Sequence, residues 1–301
     1  MKTLEALGKR IRTTEDLRAI VRTMKSLSSV SIHQYEAAVQ AIASYHDTIE
    51  QGLQIAVRAL PPSKSQSIKK AGPVVVLLFG SDYGLCGRFN DQVVDFALER
   101  LAKEGLEPRS CLWLILGAKA QARLEARIQT SAVHYFLPGS VDGLTETVAN
   151  ILVKLDTWQQ EDAFEKAILF YNQREQRVIS AARMTRLLPL DSRYLRALAR
   201  QPWKSRSLPA FTMDAGRLFS ILVQHYLFAT IYRAGAESMA AEHATRLSAM
   251  QSAERNIAEK LEEMNTDYRH ERQSAITAEL LDVIAGYEAV REQAHDHSGS
   301  I

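Results

Sequence analysis

Apolar residues near the start of the chain recur every three or four positions. They fall at Leu4, Leu7, Ile11, Leu17, Val21 and Met24, with Thr14 filling the one gap, and resume at Tyr35, Ala38, Ile42, Tyr45, Ile49 and Leu53. No proline interrupts residues 1–60, and Gly8 and Gly52 are the only glycines there. The spacing predicts one long helix over 1–60 whose a/d seam meets another helix. Pro61 and Pro62 stop it, and Ser63 to Gly72 reads as a polar, basic linker.

The period changes over 73–190. Pro73 to Phe79 is a continuous apolar run, the pattern of a strand buried on both faces. Asn90 to Lys103 has helical spacing with Asn90 as its expected cap. Strands are expected at Cys111–Leu116, Ala132–Leu137 and Ala167–Tyr171, with helices at Ala118–Arg127 and Val141–Trp158 between them. Arg177 to Leu188 reads as an antiparallel fifth strand. Strands alternating with helices indicate a parallel, doubly wound, Rossmann-like α/β domain.

Residues 191–209 are basic and carry Pro202 and Pro209; from 211 to 292 there is no proline. A seam runs through Leu218, Leu222, His225, Ala229, Tyr232, Ala236, Met239, His243, Leu247 and Met250, then Ile257, Leu261, Met264, Tyr268, Ile276, Leu280 and Ile284. A helix of that extent spans about 120 Å, against a radius of gyration of about 19 Å for a compact chain of this size. Much of it is therefore expected to project, covered by the N-terminal helix in an antiparallel coiled coil that the α/β domain closes at one end. Residues 293–301 read as a polar tail.

Charge sharpens this picture. The formal net charge is +2, but residues 1–70 carry +5, 71–182 carry −3, 183–206 carry +6 and 207–301 carry −6. The basic first helix and the acidic last one attract each other. A hydrophobic share of 46% and a charged share of 24% exclude disorder and collagen-like repeats. Cys86 and Cys111 have no Cys or His at ligand spacing, which argues against structural zinc and fits a reducing compartment. Met1 to Leu17 lacks the apolar core of a secretory signal, and the longest apolar run is strand-sized, so no membrane span is expected.

Candidate chemistry is sparse. Gly80-Ser-Asp-Tyr-Gly84-Leu-Cys-Gly87-Arg-Phe-Asn90 lies between a strand and a helix, where phosphate loops sit. Its spacing is neither the dinucleotide fingerprint nor a P-loop, and tight-turn glycines account for it. Asp82 has no His or Lys nearby in sequence to work with. His225 and His243 are 18 positions apart, too far for ligation from one helix face, and His295 and His297 lie in the polar tail. The basic block Arg183 to Arg206 suits an acidic protein or headgroup surface, or simply a solvated face, better than nucleic acid. No catalytic constellation, cofactor site or metal site is legible. The residues alone describe a mechanical or scaffolding chain; a nucleotide-dependent enzyme built on 73–190 and a self-associating coiled-coil scaffold are the alternatives.

Several stretches together resemble the γ subunit of F-type ATP synthases. Glu242 with Arg246-Leu-Ser-Ala-Met250, and Asn256 beyond, are similar to that family's E...R-M-x-A-M and its following Asn. Arg272-Gln-Ser-Ala-Ile-Thr277 with Glu279, Ile284 and Gly286 is similar to R-Q-x-x-I-T-x-E. Asp82-Tyr-Gly84-Leu-Cys-Gly87 with Asn90 resembles D-[RK]-G-L-C-G-x-x-N, Leu187-Leu-Pro189 resembles LLP, and Arg10-Ile11, Ile20 and Met24 follow the opening pattern. Tyr83 in place of a basic residue, Ser31 where Lys is frequent, Lys25 where an acid is frequent, and Gly286-Tyr-Glu-Ala mark a divergent variant.

The resemblance implies a central-stalk rotor. Its two helices would enter a ring of three α and three β subunits, and its α/β domain would rest with ε on the membrane c ring. It would be peripheral to the cytoplasmic face of a bacterial membrane and bind no cofactor. By motif position, Arg272, Gln273 and Thr277 would meet β-subunit loops. Arg10, Met24 and Lys25 would face the moving β levers, and the basic block would lie toward the c ring.

Overall fold

A computed structural model describes residues 4–60, 72–161, 164–175, 178–203, 206–207 and 209–298, with side chains as far as Tyr287. Most of the expected linker, Lys204 of the basic block, and the side chains of His295 and His297 lie outside the described residues. Helix α1 (Leu4–Ala59) is followed by β1 (Val74–Phe79), α2 (Phe89–Lys103), β2 (Leu112–Leu116), α3 (Ala118–Glu125), β3 (Ala132–Tyr135) and α4 (Asp142–Glu161). Then come β4 (Lys166–Gln173), β5 (Ala181–Leu188), α5 (Ser192–Arg200) and α6 (Ala215–Ser298). The chain forms two compact units, residues 27–249 and residues 1–26 with 250–301.

The larger unit is built on a five-stranded sheet of order β3-β2-β1-β4-β5. The first four strands are parallel, and β5 pairs antiparallel with β4. All six residues of the central strand β1 are buried, as its unbroken apolar run requires. Because side chains alternate across a strand, Val74, Val76 and Leu78 face Val93, Val94 and Leu101 of α2 and Leu124 of α3. Val75, Leu77 and Phe79 face Leu144, Val148 and Ile151 of α4, together with Tyr35 of α1 and Leu227 and Ile231 of α6. The sheet is thus doubly wound, and the long helices serve as part of its second layer. Gly235 makes their approach possible: a Cβ there would stand 3.1 Å from Phe79 and Leu144.

Three local readings change. Asn90 does not cap α2, which already begins at Phe89; its amide turns inward to the loop after β1. The fifth strand starts at Ala181, and Val178 to Ser180 before it are not strand; the expected start, Arg177, lies outside the described residues. The basic segment after β5 contains α5, capped by the Asp191 carboxylate accepting from the Arg193 N–H at 2.7 Å. Tyr194 and Leu198 of this helix pack toward Ile49 and Leu53 of α1, while Arg193, Arg196 and Arg200 stay exposed.

In the smaller unit α1 and α6 run antiparallel. Arg22 Nε and Lys25 Nζ reach Glu254 at 2.9 and 2.7 Å, and Gly8 lies beside Tyr268. Moving fourteen residues back along α1 thus moves fourteen forward along α6. Leu7, Met250, Leu261 and Met264 are buried in the seam. Two expectations about this seam need correction. Leu17 is about half exposed, because Thr14, Arg18 and Val21 hold the inward positions of the heptad. Ile276, Leu280 and Ile284 are also exposed: the same register sets Leu4, the first described residue of α1, opposite Arg272, so no described residue of α1 lies beside them.

Candidate functional site

The loop after β1 is held by a network of buried and half-buried hydrogen bonds. Gly80 follows the strand with no room for a side chain, since a Cβ would fall 2.1 Å from the Ala120 Cβ. The Ser81 N–H donates to Asn90 Oδ1 at 2.9 Å, and Asn90 Nδ2 donates to Ser81 Oγ at 2.8 Å. Ser81 Oγ in turn donates to the Tyr83 carbonyl at 2.8 Å. Asp82 joins three elements: its carboxylate accepts from the Ala118 N–H at the start of α3 at 2.9 Å and from the Leu137 N–H beyond β3 at 2.7 Å. The helix N-terminus where an anion would be bound is therefore taken by a side chain. Gly117 keeps a positive φ of 110°, and a Cβ on it would strike the Ser81 backbone.

Helix α6 closes over this loop. Arg246 donates to Glu242 at 2.6 Å and lies 3.4 Å from the Gly84 carbonyl. Both charged side chains are 8% exposed. Burial is the main cause that pushes the Glu242 carboxyl up to about 6, with the Asp82 charge adding to it while Arg246 opposes. His243 stacks on Tyr35 of α1 with ring centroids 5.7 Å apart. Burial, then the neighbouring Arg246 charge, pulls this imidazole down to about 4, so it is neutral at neutral pH. Tyr35 is pushed up to about 12 by burial and then by Glu242. Cys86 packs with Phe89 and Ala241, and burial raises its thiol pKa. These groups clamp a loop between sheet and helix; none of them is arranged to attack a substrate.

The sequence candidates thus separate into two groups. Asp82, Gly84, Gly87, Asn90 and Arg246 come together around the loop, Gly87 with a φ of 57°. Met250 is buried in the helix pair and Asn256 is exposed on α6. Arg10 is exposed, Met24 is half-buried, and Lys25 is held by Glu254. Arg272, Gln273 and Thr277 are exposed on the stretch of α6 that α1 leaves uncovered. His225 shares a 2.7 Å hydrogen bond with Tyr45, and among the described residues it joins no group that could hold a metal ion. Sequence reasoning overlooked Ser81, whose hydroxyl and N–H centre the loop, and Glu254, which draws Arg22 and Lys25 together.

The family model described as ATP synthase matches residues 3–290, nearly the whole chain. The chain belongs to this family. The ATP synthase gamma chain of Salinibacter ruber is 27% identical over 97% of this chain and 99% of its own length. That of a Nostoc species is 28% identical over 96% and 100%. In fold, the ATP synthase family chain resembles the rotor of the Euglena gracilis mitochondrial ATP synthase, with a TM-score of 0.58 at 15% identity, covering 91% of this chain and 98% of that one. A second Euglena gracilis structure, comprising OSCP, F1 and c-ring, contains a chain with a TM-score of 0.63 at 14% identity, covering 95% and 94%. Among the described residues no helix is long and apolar enough to cross a membrane.

Proposed function

We infer that this chain is the central-stalk γ subunit of a rotary F-type ATP synthase, peripheral to the membrane. The observation that carries this reading is the end-to-end match to the ATP synthase family. The uncovered end of α6 supports it. Ile276, Leu280, Leu281, Val283, Ile284 and Tyr287 all lie open there, and exposed apolar surface of that extent marks an interaction site.

In this reading the end of α6 turns inside the ring of α and β subunits. Arg272, Gln273 and Thr277 offer side-chain hydrogen bonds to β loops, and Arg10, Met24 and Lys25 face the β levers. The α/β domain sits with ε on the c ring, on the cytoplasmic face of a bacterial membrane, and the basic residues of β5 and α5 lie toward the ring. No catalytic group or cofactor is required of the shaft. Its two helices present different side chains in different directions, so each β subunit meets a different surface and takes a different nucleotide affinity. Rotation changes those differential contacts in turn, which is the condition for transmitting free energy between sites. Arg246 meets the Gly84 carbonyl, and Asp82 ties that loop to α3 and to the segment beyond β3, so torque on the domain reaches the helix.

The test is the native mass of the full chain co-expressed with the α and β subunits of its own organism. One copy per αβ ring is expected. Homo-oligomers of the chain that exclude α and β would overturn the reading in favour of a scaffold.

A further inference from the structure

We propose that His46, Asp47 and Glu50 of α1 form a binding site for a divalent transition-metal cation, of which Zn²⁺ is the natural probe. Each residue offers one ligand atom, and the three atoms lie within 4.8 Å of one another. Glu50 stands at i+4 from His46 and i+3 from Asp47, the two spacings that bring helix side chains onto one face. His46 Nδ1 is 4.0 Å from Glu50 Oε1. Ligand bonds of about 2.0–2.2 Å to zinc place neighbouring ligands about 3.4 Å apart, so closure needs shifts of the order of 1 Å. The exposed Asp47 side chain is free to supply much of that movement.

Three further features set this group apart from an ordinary helix face. The Tyr194 hydroxyl of α5 donates to Glu50 Oε1, the oxygen that faces His46, and so orients the carboxylate as outer partners of metal ligands do. A cavity of about 200 Å³ borders both carboxylates, lined by Asp47, Glu50, Gln51, Gln54 and Trp203 among others, which leaves space for coordinated water. Among the described residues, no Lys or Arg nitrogen forms an ion pair with either carboxylate, so their two negative charges are not neutralised by a protein cation at contact. One imidazole nitrogen with two carboxylates favours zinc-like ions over Mg²⁺ or Ca²⁺, which prefer all-oxygen sets. A bound ion would tie this turn of α1, through Glu50 and Tyr194, to α5.

The experiment is calorimetric titration of the full chain with ZnCl₂ in excess Mg²⁺, with far-UV circular dichroism on every variant. One Zn²⁺ per chain is expected, at micromolar affinity. Asp47→Asn and Glu50→Gln should each weaken it at least about tenfold, the scale of losing a ligand or its support. Glu36→Gln should change nothing, because His33 and Glu36 form a comparable pair without a third ligand. Tyr194→Phe should weaken binding less than loss of a ligand does. Asp47 is exposed, so its variant keeps the test decisive should Glu50→Gln misfold. Absence of binding, displacement by equimolar Mg²⁺, or equal affinity in folded Asp47→Asn would overturn the site.

Discussion

Arg246→Met tests the buried charge pair with which α6 covers the loop after β1. The substitution keeps most of the side-chain volume and removes the charge that faces Glu242 across 2.6 Å. Glu242 is then left buried with no cation in contact, and removing one partner of a buried pair costs about 3–5 kcal/mol. Urea unfolding followed by the fluorescence of Trp113, fully buried in β2, reports this unit. With a slope of about 1–3 kcal/mol per M, the transition should fall by roughly 1–5 M. Replacing both partners, as Glu242→Leu with Arg246→Met, should recover most of the loss, since apolar replacements of buried pairs are often neutral or better.

The pH dependence carries its own sign. Glu242 is raised from 4.5 to about 6 in the folded chain. Its protonation therefore favours the fold by about 2 kcal/mol below the unfolded value, and that contribution is lost as pH rises through about 6. Without Arg246 the carboxyl climbs further, so the deficit of Arg246→Met should shrink on going from neutral to about pH 5. A midpoint within about 0.3 M of the parent, or a deficit indifferent to pH, would refute the clamp.

Further consequences are open to direct measurement. Gly80→Ala should destabilise the larger unit by about 1–3 kcal/mol in the same assay, the cost of overpacking, because its Cβ would overlap Ala120. Asp82→Asn leaves one of two N–H groups, on Ala118 or Leu137, facing an amide donor, and should cost about 1–3 kcal/mol without altering any chemical step. Glu254, held well down to about 2 first by Lys25 and then by Arg22, should titrate by carbon-detected NMR far below ordinary glutamates. Lys25→Met should raise that midpoint, and the stabilisation is present above about 4.5 and lost as pH falls toward 2. His243 is lowered from 6.5 to about 4, so its contribution holds above 6.5 and is lost on acidification through 4. His243→Gln should make the larger unit less sensitive to acid over that window.

The long helices and the sheet were legible because each rests on a local period. Six consecutive buried residues in β1 announce a strand covered on both faces, and proline-free three-and-four spacing announces α1 and α6. What period cannot say is which partner is present along the way. Ile276, Leu280 and Ile284 continue the pattern of Leu261 and Met264, yet they are exposed, beyond the stretch of α6 that the described residues of α1 accompany. Leu17 reads as seam and lies outside it, since Arg18 takes the inward position that follows Thr14. Helix α5 was hidden by its basic composition, although Asp191 followed by Tyr194 and Leu198 carries a cap and an apolar face. Around the loop after β1, the glycines and Asp82 were visible as a motif. Their purpose was not, because the partners of Asp82 lie 36 and 55 residues away.

The central claim is that the end of α6 turns against β subunits. It is tested most directly by joining Arg272→Cys through a disulfide to a cysteine placed in the facing β loop of the assembled complex. ATP turnover should stop when the link forms and return when it is reduced. Unimpeded turnover with the link intact would contradict the rotor account.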